Sequence, residues 1–412
     1  MTKPRILFIA PSSYPIFGAE ANVNAKLLKV LSEDGATIDL VCRYLRSTSE
    51  GYPASTDEYY FSKVNSITVV RTDTKFDLKT LLRHFRTFLK FGFVYKSADW
   101  AFDALETCEK LIRKNKYDFI YTFNQPSELL GVYLSEKYQI PWIATWNDPY
   151  VWKRYPMPYG KGPECKISSN REKLIATIGR VCKTHLFPSE RLRRYMQIYM
   201  PNISRDNSFI SPHIMMNRGT RVYSPHSTLR IIHSGALGKE RNPILFFSAL
   251  EKFIKQNPNV KIKVTFVGVV ERMETTAIIA HVKNSILKDY VEFLPPVTYA
   301  DSISMLKNYD CSLILEAPCE EGIFLPSKVA DSMQVGLPIF AVSPKIGTLN
   351  DLYLSERIAY FASCVDEEEI MESLKKLYLD FQQHSQSNGL DAYDLFGKET
   401  ILNIHHKIWK KD

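Results

Sequence analysis

The chain lacks most of the signatures that would place it quickly. Its 412 residues include seven cysteines, at 42, 108, 165, 182, 311, 319 and 364. The number is odd and the spacings are irregular, so neither a disulfide framework nor a Cys-x-x-Cys metal site is expected, and a reducing cytosol is the better reading. No stretch approaches the roughly 18 apolar residues of a spanning helix. The opening run Ile6-Leu7-Phe8-Ile9-Ala10 is too short for the core of a signal peptide. Nine histidines are scattered without metal spacing. The glycine fingerprint of nicotinamide-binding proteins is missing, since the first strand is followed by Gly18-Ala19-Glu20. There is no zinc-finger or RNA-binding signature. The excess of 53 basic over 45 acidic residues, +8 net, is too mild to imply nucleic acid; it fits phosphate-bearing ligands or acidic surfaces. No short repeat and no disordered composition is visible.

What is present is alternation. "RILFIA" reads as a buried strand, "PSSYPIFGAE" as a turn-rich loop, and "AEANVNAKLLKVLSED" as a helix with apolar spacing at Val23, Leu27, Leu28 and Leu31. "TIDLVCR", "YDFIYTF", "PWIATW" and "THLFPS" are further strands, with helices "SELLGVYLSEKY" and "SERLRRYMQIY". Residues 204–228 are polar and turn-rich, as in a linker, and the pattern then restarts with "LRIIHSGAL", "KIKVTFVG", "YVEFLPPV", "CSLILEA" and "LPIFAVS". Short apolar strands between helices predict two parallel α/β domains, placed at 1–220 and 225–392. A final helix, 393–412, carries an apolar stripe at Ile401, Ile404 and Ile408 and must dock on something; the first domain is one option.

Open parallel sheets bind ligands at the carboxyl ends of their strands, where helix N-termini favour phosphate. Three loops there carry chemistry. In "EEGIFLPSKVADSMQVGLPIF", residues 320–340, Ser327 reads as an N-cap of a helix stopped by Gly336, with Lys328 near its N-terminus, Asp331 a turn further in and Glu321 in the loop. An anion held there would relieve the unfavourable Lys328–dipole contact; a solvated loop with a surface lysine is the alternative. In "IIHSGALGKERNP", Gly235 permits close backbone approach, and Lys239 and Arg241 are placed to reach a diphosphate, or are simply exposed cations. In "TWNDPYVW", Asn147 and Asp148 end a strand, where Asp148 is either a general base or part of an Asp-Pro turn. His233 reads as a core residue; His213 is open. Finally, residues 75–96 repeat Lys75, Lys79, Arg83, Arg86, Lys90 and Lys96 among Leu78, Leu81, Leu82, Phe85, Phe88 and Leu89, against one acid, Asp77. This is either a packed helix with a basic solvated face or a helix lying on an anionic bilayer.

These residues resemble the GT-B-fold glycosyltransferases of family 4, over nearly the whole chain. The resemblance is carried by Glu321, Gly322, Leu325-Pro326, Asp331 and Gly336-Leu337-Pro338, in a Pro-Ser-Lys variant with nine residues between the acids rather than seven. Anchoring on Gly-Leu-Pro makes Asp331 the second acid; anchoring on Leu-Pro would make it Val329. Arg241 falls where the family has lysine, and Ala236 replaces an arginine. Gly18-Ala19-Glu20 resembles the family's Gly-Gly-x-Glu loop, and Asn147 stands where a histidine is common beside the retained Asp148. The resemblance implies two Rossmann-like domains facing a cleft. It implies transfer of a sugar, with retention, from a nucleotide-diphosphate sugar to a glycan or lipid-linked acceptor in polysaccharide or glycoconjugate synthesis, without cofactor or metal. Asp331 would bind ribose, Gly235, Arg241, Ser327 and Lys328 the diphosphate, and Glu321 the donor sugar. Asp148 would serve catalysis, and Gly18, Glu20 and Asn147 the acceptor side. The expected setting is the cytoplasm, with peripheral contact to the inner membrane face through 75–96. A nucleotide-sugar epimerase of the same fold and a non-catalytic partner subunit of a glycan-assembly complex remain as alternatives.

Overall fold

The strands divide between two sheets in a computed structural model that describes residues 3–16, 18–44, 55–72, 78–91, 98–221, 226–238, 240–268, 273–383 and 390–411. The first sheet contains β1 (Arg5–Ile9), β2 (Thr37–Arg43), β3 (Ser66–Val70), β4 (Phe119–Phe123), β5 (Trp142–Thr145), β6 (Thr184–Phe187) and β7 (Ser208–Ile210) in the order 3-2-1-4-5-6-7. The second contains β8 (Leu229–Ser234), β9 (Ile262–Val267), β10 (Val291–Leu294), β11 (Cys311–Leu315), β12 (Ile339–Ser343) and β13 (Tyr360–Ser363) in the order 10-9-8-11-12-13. All pairings between them are parallel, with Ile6 opposite both Ile38 and Phe119, and Ile231 opposite Val264 and Cys311.

Central strands such as β4 and β11 are buried at every residue, which is why they read as unbroken apolar runs: helices cover both faces. Each sheet reverses its winding beside its first strand, between β1 and β4 and between β8 and β11. Ligand crevices open at such switch points, and the loops after β1, β8 and β11, together with the one after β5, are those that carry the sequence's chemistry.

Three elements differ from the sequence reading. Residues 208–210 lie in the segment read as linker, yet they pair with β6, His185 opposite Ser208; an edge strand of three residues is selected by the ladder, not by an apolar pattern. Strands β3 and β13 are likewise edges that the alternation did not announce. The last segment is two helices rather than one. Tyr393–Phe396 packs on the second domain through Ala392 and Phe396. Gly397, where an added Cβ would lie 2.4 Å from the Tyr393 carbonyl oxygen, turns the chain back. Lys398–Lys411 then docks on the first domain. Ile401 and Ile408 are buried against its core and Ile404 is half-buried beside it. Tyr121 Oη contacts His405 Nδ1 at 3.0 Å and accepts from Trp409 Nε1 at 2.9 Å.

Candidate functional site

The loops after β8 and β11 meet first-domain residues around a cavity of about 370 Å³. Gly235 continues β8 with φ +142°, a conformation that favours glycine, and a Cβ there would stand 2.7 Å from Lys328 Nζ. Lys328 lies in the first turn of the Ser327–Gln334 helix. That helix begins after Pro326, and no side chain caps it; Ser327 is therefore its first residue and not the N-cap expected from sequence. Proline lacks the oxygen that would satisfy the first N–H groups, so the helix end stays open toward the cavity that Ser327 and Lys328 line. Arg241 lines the same cavity, reaching over the Tyr159 ring at 5.6 Å. Enclosure and the charge of Arg241 lower the Lys328 ammonium to about 8, against the pull of Glu316 and Asp331. Lys239 lies outside the described residues.

Glu316, just past β11, is a residue the sequence reading passed over. Its side chain is 8% exposed, and Arg241 Nε lies 3.5 Å from its Oε1. Burial raises its carboxyl above the ordinary range, with Arg241 and Lys328 opposing. The only sequence signal was an acid ending an apolar strand at the cleft side. Glu316 lines a second, larger cavity of about 520 Å³ with Glu240, Asn242, Phe246 and Cys364.

Asp331 lines the first cavity, but one of its oxygens is already engaged. Lys26 of the first domain bonds Oδ1 at 2.6 Å, and Tyr299 Oη donates to the same atom at 2.6 Å. Lys26 Nζ also donates to the Ile214 carbonyl at 3.0 Å. Glu321 is turned elsewhere: Arg191 Nη1 bonds its Oε1 at 2.7 Å while the same guanidinium grips Asp351 at 2.5 and 2.7 Å. Further links cross the domains from Ser189 Oγ to the Ile323 carbonyl, 2.8 Å, and from His213 Nε2 to the Leu325 carbonyl, 2.9 Å. His213 is thus a structural residue, and burial holds it neutral, near 4. His233 is buried, with Nδ1 donating to the Leu313 carbonyl at 3.0 Å.

The first domain supplies a separate, smaller cavity of about 210 Å³. Glu20 and Asp148 line it with Asn124, Gln125 and the aromatic residues Trp146, Tyr150, Trp152 and Tyr155. Gly18, at φ +74°, opens the helix that carries Glu20, and itself lines the cavity of about 370 Å³. Burial, and then the charge of Asp148, raise Glu20 to about 8; burial raises Asp148 to about 6, with Arg241 and a bond from Tyr155 opposing. Both carboxyls are thus held above the ordinary range, Glu20 the more so, with Asp148 the more acidic of the two. Asn147 contributes its backbone N–H to Asn124 Oδ1 at 3.3 Å and is not among the residues lining this cavity. Among the described residues, no group of three or more His, Cys, Asp or Glu is arranged to hold a metal ion.

Two parallel α/β domains facing each other across such a cleft have close structural counterparts. Sucrose-phosphate synthase from Thermosynechococcus elongatus superposes with a TM-score of 0.70 at 15% identity, covering 99% of each chain. HepE from Anabaena, solved with UDP-glucose, gives 0.65 at 16% identity, covering 99% of this chain and all of that one. The fold is that of the GT-B glycosyltransferases. A putative UDP-N-acetylglucosamine 2-epimerase from Listeria monocytogenes also shares it, at a TM-score of 0.59 and 11% identity over 100% of this chain and 98% of that one. No protein-family model matches the chain, and no curated protein matches it in sequence. At these identities the likeness to GT-B proteins concerns the fold, and the reaction must be argued from the cleft.

Proposed function

We propose that the protein transfers a sugar from a nucleoside-diphosphate sugar to a glycan or lipid-linked acceptor. One observation carries this reading. Arg241, Lys328, the Gly235 backbone and an uncapped helix N-terminus converge on one cavity at the switch point of the second sheet, beside a first-domain cavity built from carboxylates and aromatic rings. The cations and the helix end suit a diphosphate and would stabilise it as it leaves, which supports a metal-independent reaction. Asp331, with one oxygen uncommitted to Lys26 and Tyr299, suits a ribose hydroxyl. The aromatic walls around Glu20 and Asp148 suit the faces of an acceptor sugar, and Asp148, the more acidic of the two, is placed to orient or accept the proton of its hydroxyl. Retention of configuration, a family 4 affinity and a place in polysaccharide or glycoconjugate synthesis follow from the sequence resemblance. Solved with UDP-glucose, HepE supports a uridine nucleotide as the first donor to try.

The test is nucleotide-sugar turnover by Arg241→Ala/Lys328→Ala: loss is expected, and unchanged turnover overturns the reading. The fold shared with the Listeria protein sustains the epimerase alternative, which predicts an isomerised sugar nucleotide from donor alone. A non-catalytic partner subunit predicts no heat on titration with nucleoside diphosphates.

A further inference from the structure

One motif of the sequence is not used by the cleft. The helix Leu78–Phe91 exposes Leu78, Leu81, Leu82, Phe85, Phe88 and Leu89, each at least 49% accessible. These six are a third of the eighteen large apolar side chains exposed among the described residues, and they recur at the three- and four-residue steps of a single helix face. A helix belonging to a globular domain turns that face inward. Among the described residues this helix meets the following one through His84, whose Nε2 lies 2.9 Å from Asp99 Oδ2. The helix is also all of one sign. Its sequence holds Lys79, Arg83, Arg86 and Lys90 and no acid.

From this arrangement we infer that the helix lies in the surface of an anionic lipid bilayer, apolar face down, and holds the protein there. Fourteen residues span about 21 Å, short of the roughly 30 Å hydrocarbon core, so the helix can lie in the interface but not cross. No described helix is long and apolar enough to cross. A cationic helix with a fully apolar face matches the two attractions of such a surface, buried hydrocarbon and anionic headgroups. A second copy of the chain would bring four cations against four, which opposes self-pairing through this face.

The test is co-sedimentation of the full chain with phosphatidylcholine vesicles, with and without phosphatidylglycerol. Wild type is expected to bind the mixed vesicles, more weakly at high salt and weakly or not at all on pure phosphatidylcholine. Leu81→Glu/Phe85→Glu and, independently, Leu78→Asn/Leu89→Asn should each weaken binding by at least about tenfold. Both variants should keep the wild-type affinity for nucleoside diphosphate, a readout that shows the fold is intact and that does not depend on the membrane. Absence of wild-type binding, or binding that both variants retain, overturns the inference. So does a wild-type dimer that either variant makes monomeric.

Discussion

Lys328 offers the sharpest test of the diphosphate site, because its charge state and the ligand's are linked. In the free protein its ammonium sits at about 8, lowered by enclosure and by Arg241, with Glu316 and Asp331 opposing. His233 also faces it, and burial keeps that ring neutral. A diphosphate placed against Lys328 favours the protonated form, so the bound pKa rises above the free one. The sign follows: affinity is complete below the free pKa and is lost as pH climbs through it, up to the bound pKa. Between pH 7 and pH 9 the protonated fraction of the free protein falls from about 0.9 to about 0.1. Affinity for UDP-glucose, whose diphosphate does not titrate in this range, should therefore fall about tenfold, or about 1.4 kcal/mol. Calorimetry in buffers of different ionisation heat should find proton uptake rising from near zero to near one. Lys328→Arg, permanently charged, should bind with no such slope, which separates Lys328 from Glu20 and Glu316 as its source. A flat profile in wild type, or the same slope in Lys328→Arg, refutes the assignment.

Two further outcomes concern the domain contact and the acceptor side. Lys26 and Asp331 have side chains 4% and 15% exposed; at 2.6 Å their gross attraction is about 6 kcal/mol with an effective dielectric of about 20, and breaking such a pair costs about 3–5 kcal/mol. Urea denaturation of Lys26→Met, Asp331→Asn and the double variant should give a coupling above about 1 kcal/mol, and a value below about 0.5 would mean the domains do not depend on the pair. Asp148, at about 6, must be ionised to accept a proton, so transfer rates should fall as pH drops through that value; Asp148→Asn should lose about 10²–10⁴ in kcat and the acid limb with it, while nucleotide binding stays.

The two-domain pattern was legible because central parallel strands are apolar throughout, and the nearness of Gly235, Arg241, Lys328 and Asp331 to one cavity was legible because they sit at fixed places in a strand–loop–helix unit. The residues that close the site were not. Lys26 meets Asp331 across 305 residues, and Arg191 meets Glu321 across 130. In sequence Lys26 is a cation between apolar helix positions and reads as surface; it is buried because its helix faces the other domain. Tyr299, too, acquires its partner Asp331 only when separate segments come together. The edge strands escaped for another reason, since β3, β7 and β13 need only one paired neighbour and little apolar pattern.

The spacing of the acids is where structure adds most. Two alignments competed, one giving Asp331 as the inner acid and one giving Val329. Val329 is fully buried in the packing between its helix and the second sheet, and Asp331 lines the cavity. Two residues along the helix therefore separate a core position from a cavity-lining one, and of the two only Asp331 has a side chain at the cavity. The outer acid is less simple. Glu321 is held by Arg191, which also grips Asp351, so its carboxylate serves the contact between domains in this state. Five residues earlier, Glu316 is buried against Arg241 and lines the larger cavity. Glu321 is committed to Arg191, whereas Glu316 stands beside Arg241. Glu321 thus joins the two domains through Arg191, while Glu316 lines the larger cavity beside Arg241.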